Sequence, residues 1–342
     1  MGLGAIGSYV NLLREVNLKA IKQEAEREFR LLVTGEPMLA ALSAERLSAE
    51  PGKTGIHPWL VGYPLPLQPR DFKANDLALI VVHEPDLDKN QADAVRRLHD
   101  ARIPVVVVVV SDTARQKVGA ELPRPGETAR VILSPSLDQE EFEEQLLPAL
   151  VQAAPENLRL ALARQLPVLR APIAHALIEE SSRANAVYVT STALAEVIPA
   201  LTLPLNVADV VVLTKNQLLM AYKIALAFGK QGTPREIIGE IIGVVGSGLL
   251  FRQVAREMVG LIPVVGVVPK IAVSYAGTWV IGQTIYVWAS RGEKLSRSEI
   301  RQFYAESLSK GRALADKLVD KLRRPALPAP DGEDEGGDKV QG

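Results

Sequence analysis

Apolar residues fall in short, nearly continuous blocks through the first half of this chain and in helical stripes through the second. The blocks are "FRLLVTG" (29–35), "HPWLVGYPLPL" (57–67), "DLALIVVHEP" (76–85), "IPVVVVVVS" (103–111) and "ARVILSPS" (129–136). Each is of strand length and bounded by turn residues or helical pattern, which predicts β-strands. The six consecutive valines can be covered only if both faces of the sheet are buried, so that strand is expected inside the sheet. Helical periodicity separates the blocks. Over 90–101, Ala94, Val95, Leu98 and Ala101 share a face. From about 138, Phe142, Leu146 and Leu150 do so; Ser136-x-x-Gln139 resembles a capping box at the start, and Pro148 predicts a kink. Alternating strands and helices predict a three-layer α/β domain with a parallel sheet.

Ahead of the first strand, Ile6, Tyr9, Leu13, Val16 and Ala20 predict an amphipathic helix over about 5–28, read as docking on the next domain. After about 155 the strand signal ends and helices follow. Thr214-x-x-Gln217 is expected to open one of them. Thr233, Pro234 and Glu236 open the next, with the cap, the first-turn proline and the closing glutamate in place. Ser296-x-x-Glu299 opens the last, whose Ile300, Phe303, Tyr304, Leu308, Leu314 and Leu318 face inward. The segment 325–342 is acidic and rich in proline and glycine, a disordered-tail composition. The expected organisation is therefore 1–28 N-terminal helix, 29–155 α/β domain, 156–324 helical domain and 325–342 tail.

Composition narrows the chemistry. The 342 residues carry a net charge of −1, so no overall basic field points to nucleic acid. With 47% hydrophobic but 5% aromatic residues, the apolar content is aliphatic, which suits parallel strands and packed helices. There is no cysteine, which removes thiolate catalysis, disulfides and cysteine metal sites. His57, His83, His99 and His175 form no ligand pair at helical spacing. The N-terminus lacks the pattern of a signal peptide.

Three glycine motifs invite a nucleotide reading. Gly2–Gly7 fits G-x-G-x-x-G, but no strand leads into it. "GKT" at Gly52–Thr54 lacks the earlier glycine of a phosphate loop, since Leu47 stands there. Gly35 has the right context, between a strand and a helix. Counted as a Walker loop, however, it puts Ala40, Ala41 and Leu42 where glycine, lysine and a hydroxyl belong. Neither Ala41 nor Leu42 can supply a phosphate-binding charge or a magnesium ligand. Glu84, Asp86 and Asp88 follow the third strand, at the end where α/β proteins bind ligands.

The order of segments resembles a small GTPase-type domain whose signatures have been lost. Gly35–Leu42 stands at the phosphate loop, and "VGYPLPLQPRDF" holds no D-x-x-G. The guanine-reading N-K-x-D falls on Ser111, Asp112, Thr113 and Ala114, while Ser134–Ser136 looks like the serine-containing guanine loop. The second half, over about 190–315, resembles the bacterial YcjF-type helical domain, a domain of unknown function, on the stretches "ADVVVLTKNQLLMAYKIALAFGK" and "PREIIGEIIGVVGSGLLFRQVAREMVGLIPVVGVVPKIAVSYAGTWVIGQTI". The two resemblances imply a P-loop GTPase-like sheet without nucleotide motifs, followed by a helical domain. They imply no catalytic residue, no metal and no cofactor expected, GTP included. They also imply membrane association on the cytoplasmic side of a bacterial membrane, with a soluble cytoplasmic protein as the alternative.

The uncharged run Ile271–Ala289 bears on that point, since it is about as long as a bilayer span. Trp279, Tyr286 and Trp288 would be its interfacial anchors. Gly277 and Gly282, with Gly239 and Gly243 four residues apart, would allow close helix contact in lipid or in a protein core. The implied role is a non-catalytic GTPase-like scaffold or partner-binding module. A GTPase with an atypical site and a membrane-remodelling or pore-forming protein are the alternatives.

Overall fold

The computed structural model describes residues 13–72, 75–83, 88–111, 129–195, 207–245 and 267–323. Helix α1 (Leu18–Glu26) precedes strand β1 (Leu31–Gly35), α2 (Pro37–Leu47), β2 (Leu60–Gly62), the single turn α3 (Pro69–Phe72), β3 (Leu77–Val82), α4 (Lys89–Asp100), β4 (Val105–Val110) and β5 (Ala129–Ser134). All pairings are parallel and the order is β2-β1-β3-β4-β5. The expected α/β domain is therefore present. The valine strand β4 lies between β3 and β5, with every residue from Val105 to Val109 wholly buried.

Alternation along the strands sends two sets of side chains to two different cores. Leu32, Ala78, Ile80, Val82, Val105, Val107 and Val109 meet Ala94, Val95 and Leu98 of α4, with Leu67 and Phe72. Leu31, Val33, Leu79, Val81, Val106 and Val108 face the other way. They join a core that runs without a break through α2 into the helical half of the chain.

That half begins with α5 (Gln139–Glu141), a π-helical turn (Phe142–Leu146) and α6 (Leu147–Ala153). It continues through α7 (Glu156–Gln165), a 3₁₀ turn (Pro167–Leu169), α8 (Arg170–Ala195), α9 (Val207–Ala227), α10 (Pro234–Val245), α11 (Val267–Arg291) and α12 (Arg297–Arg323). Helix α11 packs most extensively on α8 and α12. The N-terminal helix docks on this helical half, chiefly on α7, and the Tyr222 hydroxyl of α9 donates to the Leu18 carbonyl at 3.3 Å.

Several boundaries differ from the sequence pattern. Helix α1 starts at Leu18, and the expected helical positions Ile6 and Tyr9 lie outside the described residues. Residues 13–15 form a turn, and Asn17 caps the helix by accepting the Ala20 N–H at 3.0 Å. The cap of α5 is Asp138 rather than Ser136; Ser136 Oγ donates to Asp138 Oδ2 at 2.7 Å and so braces it. Thr214 lies inside α9, because the apolar run Val210–Leu213 ahead of it continues the helix. Pro148 stands where the helix passes from a π-helical turn into α6. The π turn ahead of it carries a bond from the Leu147 N–H to the Phe142 carbonyl, and the proline sits in the first turn of α6, where a missing N–H costs nothing. The boxes at Thr233–Glu236 and Ser296–Glu299 form as expected, each with reciprocal bonds.

The largest correction concerns Ile271–Ala289. Among the described residues no helix is long and apolar enough to cross a membrane. Helix α11 has the length, but Ser274, Thr278, Gln283 and Thr284 dilute its hydropathy. Its Ile271, Ala272, Ala276, Thr278, Val280 and Ile285 are buried against protein. The tryptophans and tyrosine expected as anchors pack instead. Trp279 stacks on Tyr275 with centroids 5.9 Å apart and Tyr286 meets His175 at 4.8 Å, while Lys230 lies over Trp288 at 4.2 Å.

Candidate functional site

In a sheet of this order the chain leaves β1 toward one edge and β3 toward the other, so the crevice between their C-terminal ends is the natural ligand position. Gly35, Glu36 and His83 stand there. Glu84 and Asp86 lie outside the described residues, as do Gly2–Gly7 and Asp112–Ala114.

Gly35 has a structural reason to be glycine. Its φ is +124°, and a Cβ would sit 2.0 Å from the Val81 carbonyl oxygen of β3. Glu36 N–H then donates to that same oxygen at 2.8 Å. The turn is thus clamped against the neighbouring strand, and α2 begins at once with Pro37 in its first turn. A phosphate loop instead leaves several residues between strand and helix, with their N–H groups turned to the ligand. Apart from the Met38 N–H, the donors at this helix end are engaged or missing. Pro37 has none, the Leu39 N–H bonds the Glu36 carboxylate at 2.8 Å, and the Ala40 N–H bonds the Glu36 carbonyl at 2.8 Å. The protein caps this helix end with its own carboxylate. Ala40, Ala41 and Leu42 are helical; Ala40 and Leu42 pack against the core and Ala41 is exposed. These residues do not fit a nucleoside triphosphate with its magnesium ion.

The remaining sequence candidates have structural roles. Asp88 caps α4 with a full capping box, accepting from Asn90 and Gln91. Ser111 N–H donates to the Ser134 carbonyl at 3.0 Å, and Ser134 Oγ donates to the Ser136 carbonyl at 2.7 Å, which closes the end of β5 onto its own loop. His83 is exposed at the end of β3 and His99 lies 3.8 Å from Asp100. No group of three or more metal-ligating side chains occurs among the described residues.

Of the glycines expected at close helix contacts, Gly282 alone fits. A Cβ there would lie 2.6 Å from Ile178 Cγ1 of α8. A Cβ at Gly239, Gly243 or Gly277 would meet nothing within 4 Å among the described residues, so these three are not packing notches there. The corresponding notch missed by the sequence pattern is Gly311 of α12, whose Cβ would lie 2.8 Å from the Ala272 carbonyl oxygen of α11.

The helical half also holds a buried polar layer. Thr278 Oγ1 of α11 accepts from Asn185 Nδ2 of α8 at 2.9 Å and from Gln217 Nε2 of α9 at 3.1 Å. Asn216 Nδ2 donates to Asn185 Oδ1 at 2.8 Å. Nearby, Tyr275 donates to Glu179 at 2.6 Å, and burial, aided by that carboxylate, raises the phenol pKa. These bonds tie three helices in one register.

Compared with family models, with curated proteins and with solved structures, the chain has no match.

Proposed function

We propose that the chain is a non-catalytic GTPase-like module joined to a YcjF-type helical bundle, and that it works as a scaffold or partner-binding protein. The observation that carries this reading is the turn at Gly35–Glu36. A parallel sheet of doubly wound order ends its first strand in a clamped turn capped by a carboxylate, which supports reading that turn as a phosphate loop that has been lost. The loss of lysine and hydroxyl at Ala41 and Leu42 supports the same reading. The strand order alone does not choose among doubly wound folds, since it is shared by proteins that bind quite different ligands at this crevice. The order of segments along the chain carries the GTPase likeness, and the missing signatures carry the loss of catalysis. Membrane contact, on this reading, is peripheral, made by the bundle surface rather than by a spanning helix.

The test is titration of fluorescent GTP, GDP and ATP with magnesium against the full chain. No magnesium-dependent preference for the guanine nucleotides is expected. Micromolar binding of GTP over ATP would overturn the proposal and restore a GTPase with an atypical site.

A further inference from the structure

A cleft of about 430 Å³ opens on the opposite end of the sheet from the Gly35 crevice, between the loop leading to β2 and the helical half. Its lining comes from four separate segments. Glu50, Lys53 and His57 lie in the loop, Arg164 and Gln165 end α7, Arg170 begins α8, and Gly229 with Gln231 follows α9. Almost every lining side chain is a donor, and Glu50 is the one carboxylate.

The charges do not cancel. Lys53 pairs with Glu50 at 3.0 Å. Arg164, with 8% of its side chain exposed, faces Glu26 at 3.7 Å and donates to the Leu226 and Lys230 carbonyls at 2.9 and 3.4 Å. Arg170 has no carboxylate within 4 Å among the described residues. It makes only long bonds to the Ala163 and Arg164 carbonyls, at 3.3 and 3.4 Å. Stitching a helix end would satisfy a few N–H groups of such a guanidinium. It leaves the charge half-buried and without a carboxylate in salt-bridge contact, with Glu50 of the lining already paired to Lys53, an arrangement that favours a bound anion. Burial pulls the Arg170 pKa down; the Glu50 carboxylate across the cleft opposes the shift and Arg164 adds to it. His57 adds a donor. Its Nδ1 accepts the Trp59 N–H at 3.4 Å, so the neutral ring carries its proton on Nε2. Burial and Lys53 keep that ring neutral by lowering its pKa.

We propose that this cleft binds a small phosphate-class oxyanion, with Arg170 as the principal ligand and Lys53, His57 and Gln231 completing the donor set. A planar guanidinium with a free edge suits the tetrahedral oxygens of a phosphate group, which two parallel N–H donors can grip at once. Free phosphate, a soluble phosphate ester and a phospholipid headgroup share this chemistry.

The experiment uses the full chain and two probes. Inorganic phosphate is titrated calorimetrically against chloride at matched ionic strength, and co-sedimentation is measured with vesicles of phosphatidylglycerol in phosphatidylcholine against phosphatidylcholine alone. Arg170→Gln and Lys53→Glu are run beside wild type. Lys53 lies on an exposed loop, so its variant keeps the test decisive if Arg170→Gln does not fold. Saturable binding of either probe, weakened about tenfold or more in the folded variants, is the expected result. Phosphate binding assigns a soluble ligand, and vesicle binding alone assigns a headgroup. Uptake of neither probe, or binding unchanged in a folded variant, overturns the proposal. The nucleotide titration is read as guanine preference over adenine, so either proposal can fail without the other.

Discussion

Gly35→Ala separates a glycine kept for the fold from one kept for a phosphate. The new methyl would lie 2.0 Å from the Val81 carbonyl oxygen, 2.8 Å from its carbon and 2.8 Å from its nitrogen. All three are backbone atoms of an interior strand, so no side-chain rotamer can relieve the contact. Alanine at φ +124° is also strained by about 1–3 kcal/mol. Overpacking adds about 1–3 kcal/mol more. The expected loss of roughly 2–6 kcal/mol is a large part of a total of roughly 5–15 kcal/mol. It corresponds to a fall of roughly 5–20 °C in melting temperature for a cooperative unit of this size. Gly277→Ala is the control. It lies in a helix interior with nothing within 4 Å of the new methyl among the described residues, and it should stabilise by about 0.5–1 kcal/mol. The assay is urea and thermal unfolding by circular dichroism, without nucleotide. A glycine kept for ligand approach would leave this melt unchanged. If Gly35→Ala melts within about 2 °C of wild type, the clamped turn is wrong.

Thr278→Val keeps the shape but removes the acceptor shared by Asn185 and Gln217; the wholly buried Asn185 donor is the costly one, and the loss should be about 2–3 kcal/mol by urea unfolding. Thr284→Val should be nearly neutral, because that hydroxyl bonds only its own helix at the Val280 carbonyl, and equal losses in the two variants would discredit the polar layer. The His175 ring packs on Tyr286 while the residue keeps an exposed side, and its pKa is lowered, first by partial desolvation and then by Lys310. Above about pH 6.5 the ring is neutral in both states, whereas below it the unfolded chain takes the proton first, so stability falls as pH drops toward the folded value. His175→Gln should flatten that slope between about pH 7 and 5. His57, shifted the same way, leaves a residual slope, and parallel curves for mutant and wild type would refute the assignment.

The sheet was legible because its signal is local. Six valines bounded by Pro104 and Ser111 can be little else than an interior strand, and the structure buries them on both faces. Capping boxes were legible where one hydroxyl and one glutamate stood alone, at Thr233 and Ser296. They misled at Ser136, where Asp138 two residues on competes for the same role, and at Thr214, where the upstream apolar run continues the helix. The Gly35 turn could be read only halfway. Its failed motif is visible in the chain, but its reason for being glycine lies with Val81 in another strand. The cleft was invisible for the same reason. Lys53, His57, Arg164, Arg170 and Gln231 share no spacing, and the docking of the β2 loop on the ends of α7 and α9 is what brings them together.

Ile271–Ala289 misled because apolar length was weighed apart from where its exceptions lie. The polar and small residues that lower its hydropathy mark particular contacts. Thr278 points to α8 and α9 and takes their amide donors; Gly282 makes room for Ile178 of α8. On another side Gly311 of α12 lets that helix close onto Ala272. Lipid makes no such directional demands, and a helix facing it on several sides gains nothing from a buried threonine that must find two donors. A helix enclosed by four neighbours needs such features, since aliphatic packing alone leaves register underdetermined. In α11, the residues that spoil a membrane span are therefore the ones that position the helix within the bundle.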